Sequence, residues 1–228
     1  MNKQPRLLTQ TILGFAFLML VIALALFLPA GSLAFWQAWV YLAVFAGSTI
    51  LITGYLFRHD PELLARRVRG GPAAETQKSQ QIIQSLASLF FIAMFIVPGL
   101  DYRFNWSDIP PAASLIADGF VALGFYIVFL VFRGNTYTSA TIEVAEEQKV
   151  IITGPYRIVR HPMYAGAFLL VMATPLALGS WAAAPLPVPL VLVIILRLLD
   201  EEKYLSQNLK GYREYCLNVP YRIIPRVW

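Results

Sequence analysis

Residues 7–28 read LLTQTILGFAFLMLVIALALFL. No charged side chain interrupts the run, and Pro29-Ala30-Gly31 ends it. A helix needs about 20 apolar residues to cross the hydrocarbon core of a bilayer, so this stretch predicts a membrane-spanning helix. Lys3 and Arg6 before it resemble the start of a signal peptide. The run is long for that role, and the residues after it form no clean cleavage site, so it is read as a retained helix. Five more apolar runs follow: Trp36 to Phe57, Ile82 to Leu100, Ala112 to Phe132, Met163 to Leu178 and Leu186 to Leu199. The last two are short and closely linked through Gly179-Ser180-Trp181, and they are read as an antiparallel helical hairpin.

Composition supports the same reading. Of 228 residues, 58% are hydrophobic and 14% charged, against about half and about a quarter in soluble domains. This excludes disorder, a collagen-like fibre and a coiled coil, and argues against a cytosolic globule. A single cysteine, Cys216, excludes a disulfide framework and a Cys-based zinc site, and His59 and His161 leave little for another metal cage. The net charge of +5 suggests nucleic acid in a soluble protein. In a membrane protein, basic residues in cytoplasmic loops account for it, so neither nucleic acid nor metal is expected as a partner.

Charge placement orients the spans. With the N-terminus in the cytoplasm, one side receives Lys3, Arg6, the basic loop from Arg58 to Lys78 (with Arg66, Arg67 and Arg69), Arg133, Lys149, Arg157, Arg160 and the basic residues of the tail. The other side receives only Arg103. The sequence therefore predicts an all-α, polytopic membrane bundle of about six spans with both termini cytoplasmic. The basic loop is read as setting this topology. Two polar parts remain on the cytoplasmic side: the loop from Arg133 to Pro162 and the tail from Asp200 to Trp228. In the tail, Leu205, Leu209, Tyr212 and Cys216 recur at helical spacing, which predicts an amphipathic helix against the membrane or the hairpin. Tyr204 and Tyr221 read as interface anchors, and Lys149 to Thr153 as a short extended piece. The chain shows no internal repeat.

Two constellations carry polar chemistry. The first is Gly154-Pro155-Tyr156-Arg157-Ile158-Val159-Arg160-His161-Pro162-Met163-Tyr164-Ala165-Gly166. Gly-Pro forces a turn, Pro162 suits the first turn of a helix, and Gly166 permits close approach of a helix or flat ligand. Taken singly, Arg157 and Arg160 mark a membrane border and His161 caps a helix; together they make a compact polar site. The second is Arg197-Leu198-Leu199-Asp200-Glu201-Glu202. An arginine within a span is costly unless paired, about 2.5–3.5 kcal/mol at the centre. Arg197 and Glu201 are four apart and share a helix face. One reading is a salt bridge closing the helix; the other is Arg197 gripping a substrate anion and Glu201 a cationic cofactor group. Asp200 reads as solvated. The chain lacks GxGxxG, a P-loop, G-x-S-x-G and HExxH, which disfavours hydrolase and kinase chemistry.

Gly-Pro-Tyr-Arg-x-x-Arg-His-Pro-x-Tyr-x-Gly, followed by Arg-x-x-x-Glu-Glu and a Tyr-rich Val-Pro tail, resembles the isoprenylcysteine carboxyl methyltransferase family, and phospholipid methyltransferases share much of the pattern. The resemblance covers about residues 133 to 225. It implies a membrane enzyme that uses S-adenosylmethionine without a Rossmann domain, with N-terminal transmembrane helices over 1–132 and a methyltransferase core over 133–228. It implies a cofactor lining of Gln148, Lys149, Val150, Ile151, Tyr156, His161, Pro162, Met163 and Tyr164, a substrate contact at Arg197 and a cofactor contact at Glu201. Arg197 and Glu201 are thus the expected catalytic pair. The sequence departs from the family at Gln148, where a histidine often stands, and at Leu209-Lys210-Gly211-Tyr212, where a Phe-Gly pair is common. The implied acceptor is a lipophilic molecule in contact with membrane lipid, a carboxylate of isoprenyl-cysteine type; a phospholipid amine is the alternative and requires a base, Glu201 or Glu202. A sterol-type reductase using NADPH also resembles this chain at His-Pro-x-Tyr, but Met163 and Gly166-Ala167 depart from its usual Asn and Gly-Glu. A transporter expects intramembrane polar residues along several spans, and here Asp118 is nearly alone.

Overall fold

The structure, a computed structural model, describes residues 3–68, 78–138 and 148–228. Arg69 of the charge count and residues 139–147 of the loop before Pro162 lie outside the described residues. The chain forms α1 (Lys3–Ala30), α2 (Trp36–His59), α3 (Pro61–Val68), α4 (Lys78–Phe104), α5 (Pro111–Gly134), a 3-10 turn (Gly154–Arg157), α6 (Pro162–Ala177), α7 (Pro187–Asn208) and α8 (Tyr212–Asn218). No strand occurs among the described residues: the stretch after Gln148 pairs with no strand, and Thr153 at its end is extended. The fold is a helical membrane bundle, as expected. Four helices, α1, α2, α4 and α5, are long and apolar enough to cross a membrane, and α6 is a shorter apolar helix. Leu13, Leu20, Ile50, Leu51 and Ile116 point outward and are exposed, which suits helices whose outer faces meet lipid.

The core sits where α1, α2, α4, α5 and α6 meet. Ile22, Leu26, Tyr41, Phe45, Phe95, Val121 and Ala177 form it. Between apolar helices in lipid, association depends on close packing, and small residues let backbones approach. A Cβ on Gly124 of α5 would lie 2.8 Å from the Gly166 carbonyl oxygen of α6, and one on Gly166 would lie 2.8 Å from the Gly124 oxygen. Gly166 therefore serves a neighbouring helix, not a flat ligand. A Cβ on Gly99 of α4 would come within 2.5 Å of the Leu26 oxygen of α1. These contacts explain the pairing: α6 packs chiefly on α5, and α4 on α1 and α7. α6 and α7 follow one another through a short turn, but each has its larger partner elsewhere.

At one end of the bundle, buried Asp101 clasps two connections. It accepts from the Ser107 backbone N–H at 2.8 Å, the Ser107 hydroxyl at 2.6 Å, the Ala182 N–H at 3.4 Å and the Ser180 hydroxyl. At the other end, Asp60 closes α2 and opens α3. Its N–H donates to the Leu56 oxygen at 2.8 Å, and its Oδ1 accepts from the Leu63 N–H at 2.9 Å, an N-cap followed by proline at the first helical position. Within the helices, Asp118 is buried on α5, and neither of its carboxylate oxygens has a hydrogen-bond partner among the described residues.

The tail differs from the single amphipathic helix expected of it. α7 runs without a break from its apolar half through Asp200–Glu202 to Asn208. The chain then turns at Gly211, whose φ of +86° is left-handed and suits glycine, and α8 is only 7 residues long. Tyr212 and Tyr215 are buried and pack with Leu209, Val219, Val150 and Tyr156, so this face meets protein instead of lipid.

Extra volume at the glycine crossing should be costly. Gly124→Ala is expected to lower stability by about 1–3 kcal/mol, the usual cost of overpacking. Gly119→Ala is the control on the same helix, because a Cβ there meets nothing within 4 Å. Thermal unfolding of the two detergent-purified variants checks the difference.

Candidate active site

Gly154, at φ +58°, starts the 3-10 turn that lifts the chain toward α6. His161 then takes φ −124°, ψ 64° ahead of Pro162, the extended backbone that a following proline favours. Its side chain makes no cap hydrogen bond. Nε2 instead lies 3.2 Å from Glu202 Oε1 and 3.4 Å from the Tyr212 hydroxyl. His161 is therefore not the simple helix cap that its position beside Pro162 suggests.

Glu202 lies past the apolar half of α7 and collects charge. Arg160 Nε donates to its Oε1 at 2.7 Å and Arg222 Nε to its Oε2 at 2.8 Å. Burial alone would raise the pKa of this carboxyl, but the hydrogen bonds from His161, Arg222 and Arg160 outweigh burial and hold it at about 2. Arg160 is itself buried, and its Nη1 donates to the Val219 and Pro220 oxygens at 2.9 and 3.0 Å. The Arg160 and His161 N–H groups donate to the Tyr221 and Arg222 oxygens, each at 2.9 Å. Thus the turn before α6, the end of α7 and the tail form one unit.

Glu201 faces another way, because successive residues on a helix point about 100° apart. It lines a cavity of about 810 Å³, together with Arg197 one turn earlier and Leu205 one turn later. Tyr164 of α6 donates its hydroxyl to Glu201 Oε2 at 2.6 Å. Arg197 is also close enough to act on that hydroxyl. The same cavity is lined by Gln148, Lys149, Val150 and Ile151 from the irregular stretch, and by Tyr156, His161, Pro162, Met163 and Tyr164. All the site residues named from the sequence therefore meet at one space. The Tyr156 hydroxyl accepts from Asn135 Nδ2 at 2.8 Å, and its carbonyl accepts from the Tyr215 hydroxyl at 2.8 Å. Burial pushes the Tyr156 phenol up to about 12; the Asn135 contact opposes this and the Glu201 charge adds to it.

The cavity continues away from these polar groups. Phe17, Leu18 and Val21 of α1, Ile83, Ala87 and Phe91 of α4, Val171 of α6, and Leu190, Val193 and Ile194 of α7 line its apolar arm. A polar head joined to an apolar arm can take an amphiphile with its head at Arg197 and its chain among the helices.

Residues 113–211 match the model of the phospholipid methyltransferase family. A delta(14)-sterol reductase of Mus musculus is 33% identical over 124 residues, covering 46% of this chain and 29% of the reductase. The chain thus spans less than a third of the length of that curated relative.

The matched segment contains every site residue named from the sequence, but residues outside it also line the cavity. Arg67 of α3, in the loop read as topological, lines it. Burial lowers the pKa of its guanidinium; Tyr164 opposes this, Arg197 adds to it and Glu201 opposes it. Tyr212 and Tyr215 close the cavity from α8. The one sequence signal for Arg67 is the adjacent Leu63-Leu64 pair, which is buried and turns the rest of α3 toward the bundle. Glu202 was a base candidate; its three cationic or imidazole partners leave it a poor base.

Two outcomes follow from the Glu202 cluster. Glu202→Ala strands buried Arg160 and should cost about 3 kcal/mol or more, seen as a lower unfolding temperature and faster tryptic cleavage at Lys210 and Arg213. In the parent, a carboxyl lowered from 4.5 to about 2 on folding stabilises fully above its unfolded value. That contribution fades as pH falls through this window. Unfolding temperature against pH should show the acid loss in the parent and a weaker one in Glu202→Gln.

Proposed function

We propose that this protein transfers a methyl group from S-adenosylmethionine to the carboxylate of a lipophilic, isoprenyl-cysteine-like acceptor at the membrane surface. The observation that carries this reading is the single cavity joining Arg197, Glu201 and Tyr164 to an apolar arm among α1, α4, α6 and α7. The match of residues 113–211 to the phospholipid methyltransferase family model supports the reaction class. The side on which these polar groups lie also carries Arg58, Arg66, Arg67, Arg133 and Arg160, and basic residues favour the cytoplasmic side. We therefore assign six helices across or into the membrane and both termini to the cytoplasm.

The polar part of the cavity suits the cofactor. Glu201 is an acid turned into the space, beside phenol rings from Tyr156, Tyr164 and Tyr212. A carboxylate there can accept from an ammonium group, and aromatic faces attract a cation. In this assignment Gln148 to Ile151, Tyr156, and His161 to Tyr164 line the cofactor, and Glu201 holds its amino group. When bound, S-adenosylmethionine supplies a methyl group on an electrophilic sulfonium. The chain's own task is positioning. Arg197 orients the acceptor carboxylate by charge-assisted hydrogen bonding, while Tyr164 restrains Glu201 on the other side. The apolar arm holds the acceptor chain and keeps water from the carboxylate. No proton must be removed from an acceptor of this kind.

An amine acceptor makes a different demand, because an alkylammonium must lose a proton first. Glu202 is held in ion pairs at about 2, and the Tyr164 hydroxyl occupies one oxygen of Glu201. Both facts favour the carboxylate. The rate is expected to be flat between roughly pH 6 and 8, whereas a steep rise would favour the amine.

The test is incubation of purified protein with radiolabelled S-adenosylmethionine and a lipid extract. Label released from product by mild base indicates an ester; base-stable label in a lipid amine indicates the alternative. Arg197→Ala should lower turnover by about 100-fold or more while sparing cofactor binding, as expected of a lost charge-assisted contact in a desolvated site. Glu201→Ala should weaken cofactor binding by about tenfold or more. The partial likeness to a sterol reductase motivates one further arm: binding of NADPH in place of S-adenosylmethionine would establish the reductase reading.

A further inference from the structure

Arg67 reaches the polar end of the cavity from α3 and lines it together with Arg197 of α7, close enough for Tyr164, Arg197 and Glu201 to act on its guanidinium. Its guanidinium carbon lies 5.2 Å from the centroid of the Phe132 ring, within cation–π range. The helix that carries it is firmly placed. Asp60 caps α3 through the Leu63 N–H. Leu63 and Leu64 bury against Leu56 and Phe132. Thr136, just past α5, donates to Asp60 and accepts from Arg66. α3 is thereby fastened to the end of α5, and Arg67 is held at the cavity wall with little freedom to leave it.

Glu202 is turned away and paired. Among the described residues that line the cavity, Glu201 is the one carboxylate, and Arg67 and Arg197 share the lining with it and with Lys149 and Arg160. Two guanidinium groups drawn partly out of water repel one another, and an anion between them relieves the cost. Guanidinium groups also match the planar, two-oxygen shape of a carboxylate.

We propose that Arg67 and Arg197 together grip the acid group of the acceptor, Arg67 from the α3 side and Arg197 from α7. This makes Arg67 a substrate-binding residue supplied from outside the matched segment, and it makes an acidic head a requirement of the acceptor. The proposal rests on the carboxyl-methylation reading and deepens it.

The experiment compares two probes that differ in charge alone, N-acetyl-S-farnesylcysteine and its primary carboxamide. Equilibrium binding of each is measured on the detergent-purified full chain, as parent, Arg67→Gln and Arg67→Lys, with S-adenosylhomocysteine affinity as the check on folding. Arg67→Gln should weaken binding of the acid by about ten- to hundredfold and leave the carboxamide and S-adenosylhomocysteine unchanged. Arg67→Lys keeps the charge without the fork and should recover part of the loss. If Arg67→Gln binds S-adenosylhomocysteine poorly, the acid-to-amide ratio of Arg67→Lys, reduced from the parent's, decides. Equal acid affinity in parent and variants overturns the proposal while the parent's methylation of the acid leaves the underlying reading intact. Equal losses for acid and amide also overturn it, by showing a packing role. A parent protein with no preference for the acid overturns the carboxylate reading, and this proposal with it.

Discussion

Glu202 gathers two guanidinium groups and an imidazole nitrogen from two separate stretches of chain, the turn before α6 and the tail. A carboxylate that has lost most of its water needs such partners, and the partners need it, because a buried guanidinium without a counter-charge is expensive. This mutual dependence joins the turn before α6, the polar half of α7 and the tail into one floor beneath the helices. Once Glu202 is fixed, helix geometry turns Glu201 about 100° away from it, toward the cavity. The acid that is consumed in structure therefore positions the acid that remains available for a ligand.

The floor is useful because the helices above it leave a space. Close backbone contact at Gly124 and Gly166 draws α6 onto α5, and Gly99 draws α4 onto α1. α7 meets α4 rather than sealing against α6 along its length. The gap bounded by α1, α4, α6 and α7 is the apolar arm, and it opens directly on Arg197 and Glu201. A water-soluble cofactor reaching the floor and a lipid-like acceptor reaching the arm would meet where these two side chains stand. Under the proposed function, that arrangement would bring together reactants of such different solubility at one place.

The linear order of residues carried much of this. Long uncharged runs specify helices, because a bilayer tolerates only internally hydrogen-bonded backbone, and α1, α2, α4 and α5 lie close to those runs. That Arg197 and Glu201 share one helix face was legible from their spacing, and the Gly-Pro turn and the helix start at His-Pro from the backbone limits those residues impose. α3 was less legible: 8 residues are too few for a strong periodic signal, and its basic residues resemble ordinary topology signals. The tail was read as one helix because Leu205, Leu209, Tyr212 and Cys216 keep a helical period; the left-handed turn at Gly211 interrupts that period without changing it visibly.

By itself the sequence determined the class of fold, the long helices and which polar residues share a helix face or a turn, since hydropathy, proline and glycine constraints and i to i+4 spacing act locally. Only the tertiary structure decided which neighbour of the acidic pair turns inward, that Arg160 is a strut to the tail, and that Arg67 shares a cavity with Arg197. These depend on which surfaces are brought together across long stretches of chain, and electrostatic pairing at such distances leaves no periodic trace in the order of residues.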